Sequence, residues 1–82
     1  MEKSIYSQEY SLFLEHLRKA REEKGLTQTE VAERLGQTQS FVSKVERGER
    51  RIDIVELRAF CNAIGIDLPK FVAKIERTLD TL

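Results

Sequence analysis

The chain has 82 residues, 40% hydrophobic and 34% charged, which suits one compact domain, because a chain this short buries only about 60% of its unfolded surface and has no room for a second core. Fourteen basic residues balance fourteen acidic ones for a formal net charge of +0, so any attraction to nucleic acid must come from local segregation of charge. Cys61 is the single cysteine and His16 the single histidine, which excludes an intramolecular disulfide and a metal set built on either residue type. The N-terminus lacks a continuous apolar signal segment, and no run approaches the roughly 20 apolar residues of a membrane span. A cytoplasmic protein without membrane contact is expected.

Five helices are predicted in chain order, with no segment alternating like a strand, so the fold class is all-α. The first runs from about Gln8 to Lys24, with Tyr10, Phe13, Leu14, Leu17 and Ala20 inward and Gly25 ending it. Thr27-Gln28-Thr29-Glu30 has the spacing of a capping box, in which a hydroxyl accepts from the backbone N–H three residues on and Glu30 reaches back to the Thr27 amide. A second helix should start there. Val31, Ala32 and Leu35 form its apolar stripe and Gly36 its stop, where a left-handed backbone costs least. Thr38 offers the next N-cap, Val42 and Val45 an inward face, and Gly48 the end of the third helix. Asp53-Ile54-Val55-Glu56 is an acidic variant of the capping box and opens a fourth helix to about Ile64, with Leu57, Phe60, Cys61 and Ile64 on one face and Gly65 as its stop. Cys61 therefore reads as a small core hydrophobe, and His16 as a surface residue. Asp67 caps a fifth helix, where Pro69 sits harmlessly in the first turn and Leu68, Phe71, Val72, Ile75 and Leu79 form a stripe.

The stretch from Thr27 to Gly48 is the most informative, because two short capped helices joined by a glycine-containing turn outline a helix-turn-helix at about residues 28–47. Projecting the third helix at about 100° per residue puts Gln39, Ser40, Ser43, Lys44 and Arg47 on one side and Phe41, Val42 and Val45 roughly opposite. That polar side carries amide, hydroxyl and cationic groups but no carboxylate, which favours a surface meant for an anion. Glutamine can pair bidentately with adenine, lysine can donate to guanine acceptors and serine is permissive. A plain solvated face is the competing reading. Around this helix Lys44, Arg47, Arg50 and Arg51 outnumber Glu46 and Glu49.

Taken together, Leu17, Arg21, Lys24, Gly25, Leu26, Thr27 and Gln28, then Glu30, Val31, Ala32, Leu35 and Gly36, then Thr38 through Gly48 with Val45-Glu46-Arg47-Gly48, resemble the XRE family, the phage Cro and lambda-repressor type of helix-turn-helix. The resemblance runs from about Leu14 to Ala73 and implies a five-helix lambda-repressor-like domain over residues 1–82. It implies double-stranded DNA as partner and base readout by Gln39, Ser40, Ser43 and Lys44, because the N-terminal residues of a recognition helix reach the base edges. It gives Gln28 a place on the DNA backbone and a role in bracing the recognition helix. The free N–H groups at the start of the second helix suit phosphate, Thr38 combines capping with a phosphate contact, and Arg47, Arg50 and Arg51 are expected on phosphates. Arg21 and Glu46 match positions that form a structural salt bridge in the family. Phe41 has two readings, packing in the domain or lying at the rim near a thymine methyl or a sugar.

A domain with so few base contacts is expected to pair as a homodimer on a palindromic operator. Ile5, Tyr6, Leu79 and Leu82 are candidates for the pairing surface, and closure over the chain's own core is the equal alternative. The functional expectation is a sequence-specific transcriptional regulator, most naturally a repressor. The alternatives are the controller protein of a restriction-modification system and an antitoxin-like protein-interaction module. An enzyme is not expected, since no nucleophile–base set, phosphate-cradling glycine loop or metal spacing can be assembled, and no cofactor is implied.

Overall fold

The computed structural model describes residues 8–82. Among them the helices are α1 (Gln8–Glu23), α2 (Gln28–Leu35), α3 (Gln39–Glu46), α4 (Ile54–Ile64) and α5 (Leu68–Leu79), and no strand forms. Four of the five helix starts are set by a side chain. Thr27 Oγ1 accepts from the Glu30 amide at 3.1 Å while Glu30 Oε1 accepts from the Thr27 amide at 2.8 Å, a reciprocal capping box. Asp53 and Glu56 do the same for α4, at 2.8 Å and 2.9 Å. Thr38 caps α3 through the Phe41 amide, and Asp67 caps α5 through the Lys70 amide. These bonds favour the ionised carboxylates, so Glu30 lies below the usual carboxylate range chiefly through the Thr27 amide.

The helices close on one core of Leu17, Val31, Ala32, Val42, Val45, Leu57, Phe60, Cys61, Ala63, Ile64 and Phe71. α2 lies between α3 and α4, and α1 is packed against both α3 and α5. Cys61 is fully buried, and that burial, with the charge of Asp67 second, pushes its thiol up. Phe13 packs edge-on to Phe71 at 6.3 Å between ring centroids, joining the first helix to the last. Arg34 Nη1 donates to the Ala63 carbonyl at 2.8 Å and fastens the end of α2 to α4.

Two expectations change. Val72, in the apolar stripe expected of α5, is 44% exposed, since the core covers the helix along the line of Leu68, Phe71 and Ile75. His16, expected at the surface, is half-buried, with Nε2 3.1 Å from Thr78 Oγ1, because α5 folds back over α1. Ile5 and Tyr6 lie outside the described residues.

Gly48 is the backbone position on which the exit from α3 turns. Its φ is +81°, and a Cβ there would sit 3.2 Å from Leu14 Cδ1 in α1. A residue with a side chain would be strained by that dihedral and would also have to push Leu14 aside by a few tenths of an ångström. Gly36, at φ +72°, has nothing within 4 Å of an added Cβ, so it needs glycine for its dihedral alone. Gly48→Ala should therefore destabilise the protein by about 1–2 kcal/mol, and by more than Gly36→Ala. Paired urea unfolding curves check the order, and equal midpoints would show that the Leu14 contact is without effect.

Candidate nucleic-acid interface

α3 begins three residues after Gly36 and presents Gln39, Ser40 and Lys44 to solvent, while Val42 and Val45 are fully buried. Phe41 is half-buried, stacked on Phe60 at 6.2 Å with an interplanar angle of 28°, which favours packing over the rim reading. Ser43 is half-buried and its hydroxyl accepts from Arg47 Nη1 at 2.6 Å. Thr38 is exposed, with its hydroxyl engaged in the cap.

The sole acid within α3 is Glu46, and its side chain is only 4% exposed. Arg21, at the end of α1, donates to it twice, from Nε to Oε2 at 2.7 Å and from Nη2 to Oε1 at 3.0 Å. The third guanidinium nitrogen, Nη1, donates to the Leu26 carbonyl in the turn before α2 at 2.8 Å. The Glu46 bond is the main reason the Arg21 pKa is raised, against a smaller opposing effect of burial. Gln28 joins the same carboxylate from α2, with Nε2 2.9 Å from Glu46 Oε1, and its own Oε1 accepts from Gln39 Nε2 at 2.6 Å. One chain of hydrogen bonds thus ties α1, the turn, α2 and both ends of α3.

The cations beyond α3 each have a partner. Arg47 pairs with Glu49 at 3.0 Å, and that bond holds the Glu49 carboxyl below the usual range. Arg50 makes a two-nitrogen pair with Glu56, at 2.8 Å and 3.3 Å, donates to the Arg51 carbonyl and lies over the Phe41 ring at 5.0 Å. Glu56 is already fixed by the α4 capping box, so Arg50 is held to the loop rather than offered outward. Arg51 lies over the Tyr10 ring at 4.2 Å. Lys44, in the last turn of α3, is exposed.

Residues 17–71 match the family model described as Helix-turn-helix. A solved XRE-family like protein from Pseudomonas syringae pv. tomato str. DC3000 is 44% identical, with 94% of each chain covered and a TM-score of 0.85. The chain belongs to the XRE-type helix-turn-helix family. It is also similar to the uncharacterized HTH-type transcriptional regulator y4dJ of Sinorhizobium fredii (strain NBRC 101917 / NGR234), at 38% identity over 58 residues, 71% of this chain and 75% of that protein. The restriction-modification controller protein C.Esp1396I, solved as a tetramer in complex with its natural 35 base-pair operator, shares the fold. Its TM-score is 0.78 at 24% identity, over 87% of this chain and 93% of that one.

The bracing of α3 by Gln28 that the resemblance implied takes the form of a bond to Glu46 across 18 positions of sequence, which no local pattern signals. The exposure of two apolar residues on α4 was not anticipated. Ile54 and Val55, at the start of α4, are 61% and 73% exposed. For Val55 the signal was present, since at about 100° per residue it falls on the far side of α4 from Leu57, Phe60, Cys61 and Ile64. Among the described residues no group of His, Cys, Asp and Glu could hold a metal ion, and no helix is long and apolar enough to cross a membrane.

Because Arg21 and Glu46 are both nearly enclosed, at 10% and 4% side-chain exposure, removing one leaves the other's charge buried. Arg21→Met and Glu46→Leu should each cost on the order of 3–5 kcal/mol, and the double variant less than their sum. A urea-denaturation double-mutant cycle reads this directly, and additive losses would mean that the two groups do not act as a pair.

Proposed function

We propose that this DNA-binding transcription regulator is a repressor, acting in the cytoplasm as a homodimer that lays α3 of each copy into the major groove of a palindromic operator. The observation that supports this best is the burial of Glu46. It leaves the outward residues of α3, Gln39, Ser40 and Lys44, with no carboxylate among them, on a protein whose overall charge is +0. An anion can approach that surface without meeting an acid.

In this reading Gln39 and Ser40 at the N-terminal end of α3 meet base edges, with Ser43 and Lys44 one turn further in. Gln28 and Thr38 would meet phosphate through the backbone N–H groups at the starts of α2 and α3, since the Gln28 amide is engaged by Glu46 and Gln39 and the Thr38 hydroxyl by its cap. Arg47 and Arg51 extend the phosphate track beyond α3, Arg47 by exchanging Glu49 for phosphate. Arg50 would have to give up its two-nitrogen pair with Glu56 to follow, so its contribution is to hold the loop in register. Repression follows from occupancy, since a protein filling the major groove at a promoter blocks other proteins there.

A controller of a restriction-modification system is the second reading, favoured by a fold shared with C.Esp1396I over nearly the whole chain. The two readings make the same DNA contacts and differ in which promoter is bound. For pairing, the candidates among the described residues are the exposed apolar Ile54, Val55, Val72 and Leu82 and the half-buried Leu79. Ile54 and Val55 are adjacent and follow the loop that leaves α3, so a second copy docked there would keep the two recognition helices near one another.

Selection from a randomised DNA library at two salt concentrations tests the reading. The expected result is an enriched palindrome with half-sites about one helical turn apart, relaxed at one position per half-site in Gln39→Ala. Weak, salt-sensitive binding without enrichment would sink specific readout. Sedimentation of Val55→Glu tests the pairing surface, with a shift from dimer to monomer expected at unchanged helical content. A dimer that persists would move the interface to the terminal residues.

A further inference from the structure

Four of the chain's six lysines border one cleft on a protein whose overall charge is +0. Lys19 and Lys24 reach it from α1 and the turn that follows, and Lys70 and Lys74 from α5. No arginine joins them. Lys19 has Glu15 at 3.5 Å, while Lys24, Lys70 and Lys74 have no ion pair among the described residues. Lys70 and Lys74 are four positions apart on one helix, a spacing at which like charges oppose helix formation. Of the two carboxylates on the rim, Glu23 and Asp67, the second is committed to the α5 cap, where Oδ2 accepts from the Lys70 amide at 3.1 Å.

The floor between the ammonium groups is apolar. Ala20 and Ile66 are half-buried there and Phe71 is buried, all three packed into the core. The cleft has a volume of about 680 Å3, within the range of small-molecule sites. Along α1 it runs from His16 to Lys24, roughly 12 Å at 1.5 Å per residue, which suits a compact ligand better than the face of a protein. Its lining comes from α1, α5 and the turns beside them and includes no residue of α2 or α3. Arg21, between Ala20 and Lys24 in sequence, is directed to Glu46 instead, so the cleft is separate from the DNA-reading surface.

We propose that this cleft binds a small phosphorylated compound of nucleotide size, with its phosphates among the four ammonium groups and its planar part on the apolar floor. Lysine meets phosphate as a point charge, whereas planar two-point recognition of a carboxylate favours arginine, which the cleft lacks. An anion seated there offsets the repulsion among the lysines and joins α1 to α5. The assignment is independent of which bases α3 reads.

Titration with ATP in magnesium-free buffer, followed through the backbone amides in 1H–15N spectra, tests this. Saturable shifts are expected at Lys24, Gly65 and Ile66, with the amides of α3 unmoved. Lys70 and Lys74 are exposed, so the double variant Lys70→Gln/Lys74→Gln should keep its helical content and bind ATP at least about tenfold more weakly. Lys44→Gln, on the DNA-reading surface, should bind ATP as the unmodified protein does. Inorganic tripolyphosphate, which has the charge and lacks the planar part, should move the same amides at about tenfold lower affinity. No saturable shift with ATP, shifts confined to α3, or an unchanged affinity in a folded double variant overturns the proposal. Tripolyphosphate binding as tightly as ATP would show that the floor takes no part and overturns the choice of ligand. A polyglutamate peptide that displaces ATP at equal affinity would replace the phosphorylated compound by an acidic protein segment.

Discussion

Everything on the recognition surface depends on where one carboxylate goes. α3 has eight residues and a single acid, and directing Glu46 inward to Arg21 does two things at once. It closes the end of α3 against α1, with the third nitrogen of Arg21 reaching back to the turn before α2. It also leaves the outward side of α3 without negative charge. A buried pair of this kind is weak evidence of stability, because desolvation offsets much of the attraction. Its value here lies in geometry: three bonds from the guanidinium and three onto the carboxylate fix the relative placement of the helices they join.

Local features were the most legible in the sequence. Both capping boxes, the Thr38 and Asp67 caps and the positive-φ glycines at 25, 36, 48 and 65 depend on residues a few positions apart, and the predicted helices match the observed ones to within a residue or two. The core face of α4 was legible through its period. What could not be read were the contacts between helices distant in sequence. His16 and Thr78 are 62 positions apart, and nothing in α1 announces that α5 will cover it. The Arg21–Glu46 pair, 25 positions apart, was accessible only through a family resemblance. Periodicity also overstated burial in α5, since a small core leaves part of an apolar stripe uncovered, as at Val72.

The arginines after α3 show how charge counting differs from charge placement. By sequence they form a basic cluster. By structure Arg47 and Arg50 are engaged by Glu49 and Glu56 and Arg51 lies on an aromatic ring, so the field at this end of the molecule is weaker than the count of cations implies. Glu56 has a double duty, completing the first turn of α4 and holding Arg50. The loop from residue 47 to 52 and the start of α4 are in consequence one mechanical unit, and a change at Glu56 disturbs both.

The direction of the amide chain also limits how a protein built like this can be retargeted. Gln28 faces position 39 with a carbonyl oxygen, and any replacement at 39 inherits that neighbour. In the proposed DNA-reading arrangement, Gln39→Arg brings donors to spare, one for Gln28 and a pair for guanine. Gln39→Glu, the natural route to cytosine, would set a carboxylate against that oxygen and leave both without a proton. In that arrangement the donors and acceptors open to position 39 are constrained from behind: a donor-rich side chain suits the Gln28 oxygen, while an acidic one requires Gln28, and with it the contact to Glu46, to change as well.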